Sequence, residues 1–336
     1  MSNPEASAVT TASWSCYFDP SGASSTDLSV EEIRASLESG KGTLWVDIDN
    51  RKPEQVALLR DVFGFHPLAI EDSLNPQSRV KFDEYKGFVI LIVRTMAFVE
   101  HTEDPYDIET VNFTCFLGPN YLVTVHGSHT HPVEATIEVL RKRPELAVAG
   151  AARLMHAVVD ETVNAYFPIL DQLDEFMDGL EERVFARFDR DALREIFNVK
   201  RLVLSLRRHL APERDVFSVV TNRPSALLTL ETQIYYRDIY DHVLRINDAL
   251  ETYRELLGNT LDSYLTQVSN RLGTITKALS VVATVSVPFV VISGMWGMNF
   301  TRIPLADAPQ GFWIMLLVQL GLGGILLVIL RWRKLL

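Results

Sequence analysis

Residues 277–302 read KALSVVATVSVPFVVISGMWGMNFTR, and this stretch decides the fold of the C-terminal part of the chain. It holds 24 residues without a formal charge between Lys277 and Arg302, and a second uncharged run of 23 residues follows between Asp307 and Arg331. A helix needs about 20 mostly apolar residues to cross the hydrocarbon layer of a bilayer. The sequence therefore predicts two membrane-spanning helices, at about 277–298 and 311–331, within a transmembrane domain at 275–336.

The basic residues that flank the two spans predict their orientation. Arg271 and Lys277 precede the first span, and three more basic residues follow the second at positions 331, 333 and 334. The connecting loop has one, Arg302, whose charge Asp307 offsets. Because basic residues concentrate in cytoplasmic loops, we expect both termini in the cytoplasm and the connecting loop outside the plasma membrane. A membrane anchor for a soluble enzyme is the alternative explanation of two terminal spans.

One apolar face continues from the soluble region into the first span. Between Ile239 and Leu279 the apolar residues recur at intervals of three or four, and no proline interrupts them before Pro288. This spacing matches the period of an α-helix. We therefore expect one helix from about Ser225 to Met298, roughly 110 Å long at about 1.5 Å per residue. The long apolar face favours self-association, with packing on helices of the same chain as the alternative.

The region before residue 149 has the pattern of a cytoplasmic α/β domain, at 13–148, after a small polar stretch, 1–12, that we expect to be disordered. Ser29 and Glu32 have the spacing of a helix capping box, and Gly40 is a typical stop signal. Alternating strands and helices indicate a sheet covered by helices. Strands are predicted at 13–18, 43–48, 87–99, 111–117 and 121–125, and helices at 29–40, 53–63 and 66–74.

Residues 149–274 have a helical pattern and are predicted to form a cytoplasmic stalk. Helices are expected at 160–188 and 191–209, the second ending near Pro212, before the long helix begins. The first carries six acidic residues between Asp171 and Glu182. A solvated helix face explains them, and the functional alternative is that they concentrate cations near a pore exit.

Composition and motifs exclude several function classes. The formal net charge of −11 argues against nucleic-acid binding, which needs clusters of Lys and Arg, and it suits a surface that attracts cations. Cys16 and Cys115 cannot form a disulfide framework, which favours a reducing cytoplasm, and the N-terminus lacks the pattern of a signal peptide. We find no P-loop, Rossmann glycine pattern, nucleophile elbow or metalloprotease motif. No enzymatic activity and no organic cofactor are therefore expected.

Three histidines, His126, His129 and His131, follow one of the predicted strands. Histidine is a common zinc ligand, but no cysteine cluster or HExxH pattern accompanies them. We interpret the segment as a polar loop without metal, with a zinc site as the alternative.

Polar groups inside the first span favour a pore over an anchor, since each costs free energy in hydrocarbon. A face of hydroxyls and small residues can line a narrow wet passage formed by several copies, and close helix packing is the alternative. The face carries Thr276, Ser280 and Thr284, and helical spacing extends it to Val287, Val291 and Gly294.

The segment 294–300, GMWGMNF, predicts an ion-binding mouth at the outer end of this span. Gly297 permits a sharp change of backbone direction, and Asn299 supplies a neutral amide oxygen. Mg²⁺ prefers oxygen ligands and gives up its water reluctantly. Such oxygens can therefore hold the hydrated ion without a charged side chain.

Gly297-Met298-Asn299, placed directly after a first span and before a second, resembles the signature of the CorA magnesium transporter family. The segments 236–242, YRDIYDH, and 66–75, HPLAIEDSLN, are also similar to segments of that family, and the resemblance covers roughly residues 40–336. It implies an α/β N-terminal domain, a long helical stalk and two C-terminal spans. It also implies a funnel-shaped homopentamer, whose partners are its own copies, membrane lipid and divalent cations.

The resemblance implies roles for individual residues. The mouth that selects the ion would be formed by Gly297, Met298 and Asn299. The pore would be lined by Gly273, Thr276, Leu279, Ser280, Thr284, Val287, Val291 and Gly294. Family members often have methionines at the positions of Thr276 and Val287, so the constriction in this chain is expected at Leu279 and Val287.

The resemblance further implies import of Mg²⁺, with Co²⁺ as a second cargo, under control by cytoplasmic Mg²⁺. Asp238 of one subunit and Asp72 of its neighbour would share a regulatory ion that holds the channel closed. Because two carboxylates repel each other without the ion, its loss favours the open form. A Zn²⁺ transporter of the ZntB type and a membrane-tethered sensor without conduction are the alternatives.

Overall fold

The computed structural model describes residues 14–99, 102, 104–127, 131–186, 191–298, 303–305 and 308–333. Several predictions rest on residues outside these ranges, namely the stretch 1–12, His129, Asn299, Arg302, Asp307 and Lys334. The chain forms two compact units, Met1–Arg183 with Arg190–Asn259 and Val184–Asp189 with Thr260–Leu336. The first contains a sheet and its helices, and the second contains an apolar helical hairpin.

Seven strands of the described residues form one sheet in the first unit. β3 pairs with β7 in parallel, and the other neighbouring strands pair antiparallel. β3 is buried along its whole length because both faces of the sheet are covered. The strands are β1 Trp14–Phe18, β2 Ser24–Thr26, β3 Thr43–Asp49, β4 Lys81–Tyr85, β5 Phe88–Phe98, β6 Ile108–Leu117 and β7 Tyr121–His126, in the order β2-β1-β3-β7-β6-β5-β4.

The helices follow the strands in two groups. The first group is α1 Val30–Ser39, α2 Pro53–Asp61 and α3 Pro67–Leu74, which pack on the sheet face that Leu44, Val46 and Ile48 share. The second group begins with α4 His131–Lys142, α5 Glu145–Val148 and α6 Ala151–Asn164. α6 packs on β3, β5, β6 and β7. The remaining helices are α7 Phe167–Ala186, α8 Ala192–Asn222, α9 Leu230–Trp296 and α10 Gly311–Trp332.

The capping box predicted at the start of α1 is confirmed. The Ser29 hydroxyl accepts a hydrogen bond from the N–H of Glu32, and the Glu32 carboxylate accepts one from the N–H of Ser29 at 2.7 Å. Gly40 ends the helix in the left-handed region, with φ of 63°, where a residue with a Cβ would be strained.

Two helix predictions are wrong, and a proline is involved in both. The helix expected at 160–188 is interrupted between α6 and α7, because Pro168 has no N–H to bond the carbonyl of Asn164. The helix expected to end near Pro212 continues to Asn222 as α8. Pro212 lies on the exposed side of α8, so water can solvate the carbonyl that it leaves without an amide donor.

The long helix is confirmed as α9, which runs without a break for 67 residues. It begins at Leu230, five residues later than expected, where the Thr229 hydroxyl accepts from the N–H of Thr232 at 3.4 Å. α9 and α10 each contain an apolar window long enough to cross a membrane, with mean hydropathies of 2.0 and 2.5. The first predicted span falls at the C-terminal end of α9, which stops at Trp296, and the second falls within α10.

Two contacts hold α9 and α10 together in the hairpin. The Gln319 amide donates a hydrogen bond to the Ser293 hydroxyl at 2.9 Å, which satisfies two polar groups inside an apolar pair of helices. Gly323 lies against the ring of Phe289, and a Cβ at this glycine would be 2.5 Å from the Cζ atom of the ring. The absence of a side chain at Gly323 therefore permits the close approach of the two helices.

We expect Gly323→Val to lower the thermal unfolding midpoint of the detergent-solubilised protein by several degrees. Overpacking of this kind costs about 1–3 kcal/mol, and the valine displaces the Phe289 ring. Gly324→Val is the matched control, because nothing lies within 4 Å of a Cβ built there and both changes replace a glycine within the same helix. Equal midpoints for the two variants would show that the contact with Phe289 is not needed.

Candidate functional site

The predicted pore-lining positions share one exposed face of α9. All eight, from Gly273 to Gly294, are exposed. The half-buried residues of the same segment lie on the other side of the helix and include Val281, Val285, Phe289 and Ile292. Phe289 and the nearby Ser293 make the contacts with α10 described above. The hairpin thus leaves the predicted pore face of α9 uncovered.

Oxygen atoms are concentrated near the middle of this face. The Thr284 hydroxyl donates to the Ser280 carbonyl at 2.8 Å, so its own lone pairs remain available to a ligand. Pro288 lies four residues after Thr284 and has no N–H, so the Thr284 carbonyl lacks its usual helical donor. Position 284 therefore presents two oxygen acceptors within an apolar helix.

At the predicted mouth, α9 ends at Trp296, and Gly297 and Met298 follow in a turn. The N–H of Gly297 donates to the Ser293 carbonyl at 3.0 Å. Asn299 lies outside the described residues, so its role stays a prediction from the sequence.

Asp72, predicted as a regulatory ligand, lies on α3 in an ion pair. Its Oδ2 is 2.6 Å from the Lys81 ammonium, which is also 2.8 Å from Asp83 Oδ2. Burial lowers the pKa of Lys81, but the hydrogen bonds that its ammonium donates to Asp72 and Asp83 outweigh this effect, so the net pKa is raised. A metal ion at Asp72 must therefore displace Lys81 or share the carboxylate with it.

Asp238, the other predicted ligand, lies on α9 beside Asp160 of α6 and His242 of α9. One ligand atom from each of these three residues lies within 4.8 Å of the other two. The predicted pairing of Asp238 with Asp72 concerns two subunits and stays a prediction. The sequence analysis missed Asp160 and His242 as site residues. The four-residue spacing of Asp238 and His242 on a helix was the available signal.

The three residues form a polar site with unused ligand atoms. Within the part of the chain that the structure describes, Asp160 Oδ1 and His242 Nδ1 are buried and have no hydrogen-bond partner. Burial raises the pKa of Asp160, and the nearby Asp238 raises it further. Buried polar atoms without partners are costly, and a divalent cation would pair with both. The residues therefore fit a metal ion.

His156 lies one turn before Asp160 on the same face of α6. Burial, followed by the Arg153 charge, lowers the pKa of His156 to about 4, so its ring is neutral near pH 7. The ring packs edge-on against Tyr235 and Tyr236, with centroid distances of 5.7 and 5.4 Å. A cavity of about 400 Å³ beside it is lined in part by His156 and Asp160.

The histidines at 126 and 131, the described members of the predicted histidine loop, are not grouped as Asp160, Asp238 and His242 are. His126 is buried, and its Nε2 lies 3.0 Å from Asp47 Oδ2 in an ion pair inside the sheet. Its ring stacks on Phe113. His131 is the first residue of α4, and His129 lies outside the described residues. The Nε2 atom of His126 is thus already paired with Asp47.

Comparison with known proteins agrees with this architecture. Residues 40–332 match the model of the family described as CorA-like Mg²⁺ transporter protein. The chain is 30% identical to YfjQ of Bacillus subtilis over 81% of this chain and 83% of that one. It is 29% identical to the cobalt/magnesium transport protein CorA of Thermotoga maritima, over 91% and 86%.

A solved structure shares the fold across nearly the whole chain. It is the complete structure of the CorA magnesium transporter from Methanocaldococcus jannaschii, with a TM-score of 0.81 and 23% identity. The alignment covers 94% of this chain and 97% of that one. The predicted order of α/β domain, long helix and two apolar C-terminal helices is therefore confirmed, and the chain belongs to the CorA-like Mg²⁺ transporter family.

Proposed function

We propose that this divalent-cation transporter carries Mg²⁺ into the cell through a homo-oligomeric pore lined by α9. The observation that carries the proposal is the exposed face of α9, which combines hydroxyls, small residues and a carbonyl without its usual helical donor within an apolar span. The single hairpin leaves this face uncovered, and lipid is a poor solvent for its oxygen atoms. If several copies meet around an axis, this face of each copy would be shielded from lipid and would line a water-filled pore.

The chemistry of this passage suits Mg²⁺. The ion keeps much of its water and prefers oxygen ligands. Hydroxyls at Thr276, Ser280 and Thr284 and the predicted Asn299 amides offer neutral oxygen acceptors. Leu279 and Val287, which are exposed on the same face, would form the apolar constriction. The resemblance supports five copies in the plasma membrane, with both termini in the cytoplasm and Co²⁺ as a second cargo.

Cytoplasmic Mg²⁺ is the proposed regulator. The cluster of Asp160, Asp238 and His242 would bind the ion within one subunit. Asp72 of a neighbouring subunit would extend the site after releasing Lys81. Bound ions would stabilise the closed assembly, and their loss would shift the population toward the open form.

Flux into liposomes tests the transport function. Purified protein is reconstituted with an Mg²⁺-sensitive dye inside, and the expected result is influx that depends on the protein. Intact oligomers without any influx would favour a sensor. Influx of Zn²⁺ but not Mg²⁺ would favour transport of the ZntB type.

We expect Asp238→Asn to weaken the protection that Mg²⁺ gives the cytoplasmic region against a protease. The change removes one of the two carboxylate charges of the cluster, so the Mg²⁺ concentration for half-protection should rise at least about tenfold, equivalent to 1.4 kcal/mol. The measurement is the rate of cleavage across an Mg²⁺ titration.

Asp241→Asn is the matched control for this experiment. Asp241 is also exposed on α9 and is not one of the clustered residues, so the same charge is removed outside the site. Identical half-protection concentrations for the two variants would remove Asp238 from the regulatory site.

A further inference from the structure

We infer that His156 is an additional ligand at the Asp160, Asp238 and His242 cluster and gives the site a preference for Co²⁺, Ni²⁺ or Zn²⁺ over Mg²⁺. The inference rests on the proposed regulatory function of that cluster and names the class of metal that it senses. It concerns a cytoplasmic site and leaves the cargo of the pore unchanged.

The helical spacing places two pairs of ligand side chains side by side. His156 and Asp160 are separated by four residues on α6, and Asp238 and His242 are separated by four on α9, so each pair shares one helix face. α9 is contacted at both ends of this region, by α6 at one end and by the first residue of α7 at the other. The Tyr236 hydroxyl donates to the Ala152 carbonyl at 3.3 Å, and the Phe167 ring lies 5.6 Å from the His242 ring.

The free nitrogen of His156 is suited to a metal. The ring takes part in a hydrogen bond with the backbone of Tyr235. Since Nε2 has no partner among the described residues, we assign this bond to Nδ1, and a proton on Nδ1 leaves the lone pair on Nε2. Nε2 is also buried. Metal-binding histidines commonly have this arrangement, in which one nitrogen is held by a carbonyl and the other faces the ion.

His156 lies outside the group of three atoms within 4.8 Å of one another, and an ion must draw it in. The cavity of about 400 Å³ beside His156 and Asp160 provides room for this movement. Three basic residues, Lys142, Arg143 and Arg153, also line this cavity and oppose an incoming metal. The Arg153 guanidinium lies over the Tyr235 ring at 3.2 Å from the centroid. The negative charges of the Asp160 and Asp238 carboxylates balance the two positive charges of a divalent ion.

The ligand types decide the selectivity. Imidazole nitrogen suits Zn²⁺, Ni²⁺ and Co²⁺, whereas Mg²⁺ favours carboxylate, carbonyl and water oxygens. A site with two imidazoles and two carboxylates therefore gains more from a transition metal than from Mg²⁺. Such metals would then stabilise the closed form at lower concentrations than the regulatory Mg²⁺ that the same cluster binds.

Metal titration of the full-length, detergent-purified protein tests the inference. Co²⁺ binding is followed by its visible absorption, and Zn²⁺ and Mg²⁺ are measured by competition with Co²⁺. We expect Zn²⁺ and Co²⁺ to bind at least about tenfold more tightly than Mg²⁺. We expect His156→Ala to weaken Zn²⁺ and Co²⁺ binding by about 10–100-fold while Mg²⁺ binding changes less than about twofold.

Two further variants separate a ligand role from a structural one. His156→Gln keeps the size of the side chain and offers an amide oxygen, so it should retain Mg²⁺ binding and lose the transition-metal preference. His209→Ala removes a half-buried histidine of α8 outside the cluster and should leave all three affinities unchanged.

The outcomes distinguish this inference from the regulatory function on which it rests. Unchanged Zn²⁺ affinity in His156→Ala, or an equal loss of Zn²⁺ and Mg²⁺ binding in that variant, would overturn the role of His156 alone. Unchanged binding of every metal in Asp160→Asn and Asp238→Asn would instead overturn the regulatory site itself.

Discussion

Asn299→Ala is expected to lower protein-dependent Mg²⁺ influx into liposomes at least about a hundredfold. Each copy would lose one amide oxygen that accepts from the water shell of the ion, and such a bond contributes about 1 kcal/mol. Because every subunit of a homo-oligomer carries the change, the losses add around the mouth to several kcal/mol. About 2.8 kcal/mol already corresponds to a hundredfold weaker capture of the ion.

Gln310→Ala is the matched control for the Asn299 experiment. Gln310 directly precedes α10 and is exposed, so this variant removes a neutral amide from the same loop. It should retain influx close to that of the wild type, and both variants should remain oligomeric on size exclusion. If Asn299→Ala conducts as well as Gln310→Ala, the amide does not form the mouth and another group must recognise the ion.

Glu213→Gln is expected to have a large effect on how the stability of the first compact unit depends on pH. The Glu213 side chain on α8 is completely buried. Its carboxylate accepts from the N–H of Arg94 at 2.8 Å and lies 3.1 Å from the Tyr166 hydroxyl. Burial raises the pKa of Glu213 to about 8, against the lowering effect of these hydrogen bonds and of the Arg94 charge.

The arrangement accommodates the protonated acid. The Tyr166 hydroxyl has one proton and two acceptors within reach, the Arg94 carbonyl and the Glu213 carboxylate, and in the protonated state of Glu213 it can donate to the Arg94 carbonyl. A protonated Glu213 can therefore donate its own proton to the phenolic oxygen. Ionised Glu213 would retain the Arg94 amide as a donor but would place a charge in a fully buried site.

The sign of the pH effect follows from the two pKa values. The pKa is about 8 in the folded chain and close to the ordinary glutamate value of 4.5 in the unfolded chain. Folding therefore takes up a proton between these values, and stability falls as the pH rises from about 4.5 to about 8. The total loss is roughly 5 kcal/mol, since each pKa unit corresponds to 1.36 kcal/mol.

Glutamine cannot ionise, so Glu213→Gln should remove this loss. We expect its thermal unfolding midpoint to exceed that of the wild type by on the order of 10 °C at pH 9, and to differ little at pH 4.5. Intrinsic fluorescence of the detergent-solubilised protein across this pH range provides the measurement. The matched control is Glu175→Gln on the exposed face of α7, which should follow the wild-type profile. Parallel curves for the wild type and Glu213→Gln would refute a protonated buried acid.

Local patterns in the sequence predicted local structure well. Ser29, Glu32 and Gly40 determine the ends of α1 because a capping box and a left-handed glycine involve only neighbouring residues. The continuous 3.6-residue period predicted α9 for the same reason. The prediction of a helix end near Pro212 was wrong because the effect of a proline depends on its surroundings. On the exposed side of α8, water can solvate the carbonyl that lacks an amide donor. Packed residues on both sides of Pro212 also stabilise the helix.

Residues that meet across the fold were much harder to predict. Glu213 appears in the sequence as one acidic residue of a charged helix, and nothing local shows that it packs against β5 and Tyr166. Lys81 and Asp72 are nine residues apart on a strand and a helix, and their ion pair depends on how α3 packs beside β4.

The sequence by itself determined two apolar spans, the continuous α9 and the face of small and hydroxyl residues along it. These features depend on length, charge and periodicity, which are properties of consecutive residues. Only the tertiary structure decided that Asp160 and His156 of α6 lie beside Asp238 and His242 of α9, and that Glu213 is buried. Such contacts join segments far apart in the chain, and the packing of the sheet and helices sets their distances and their exposure to water.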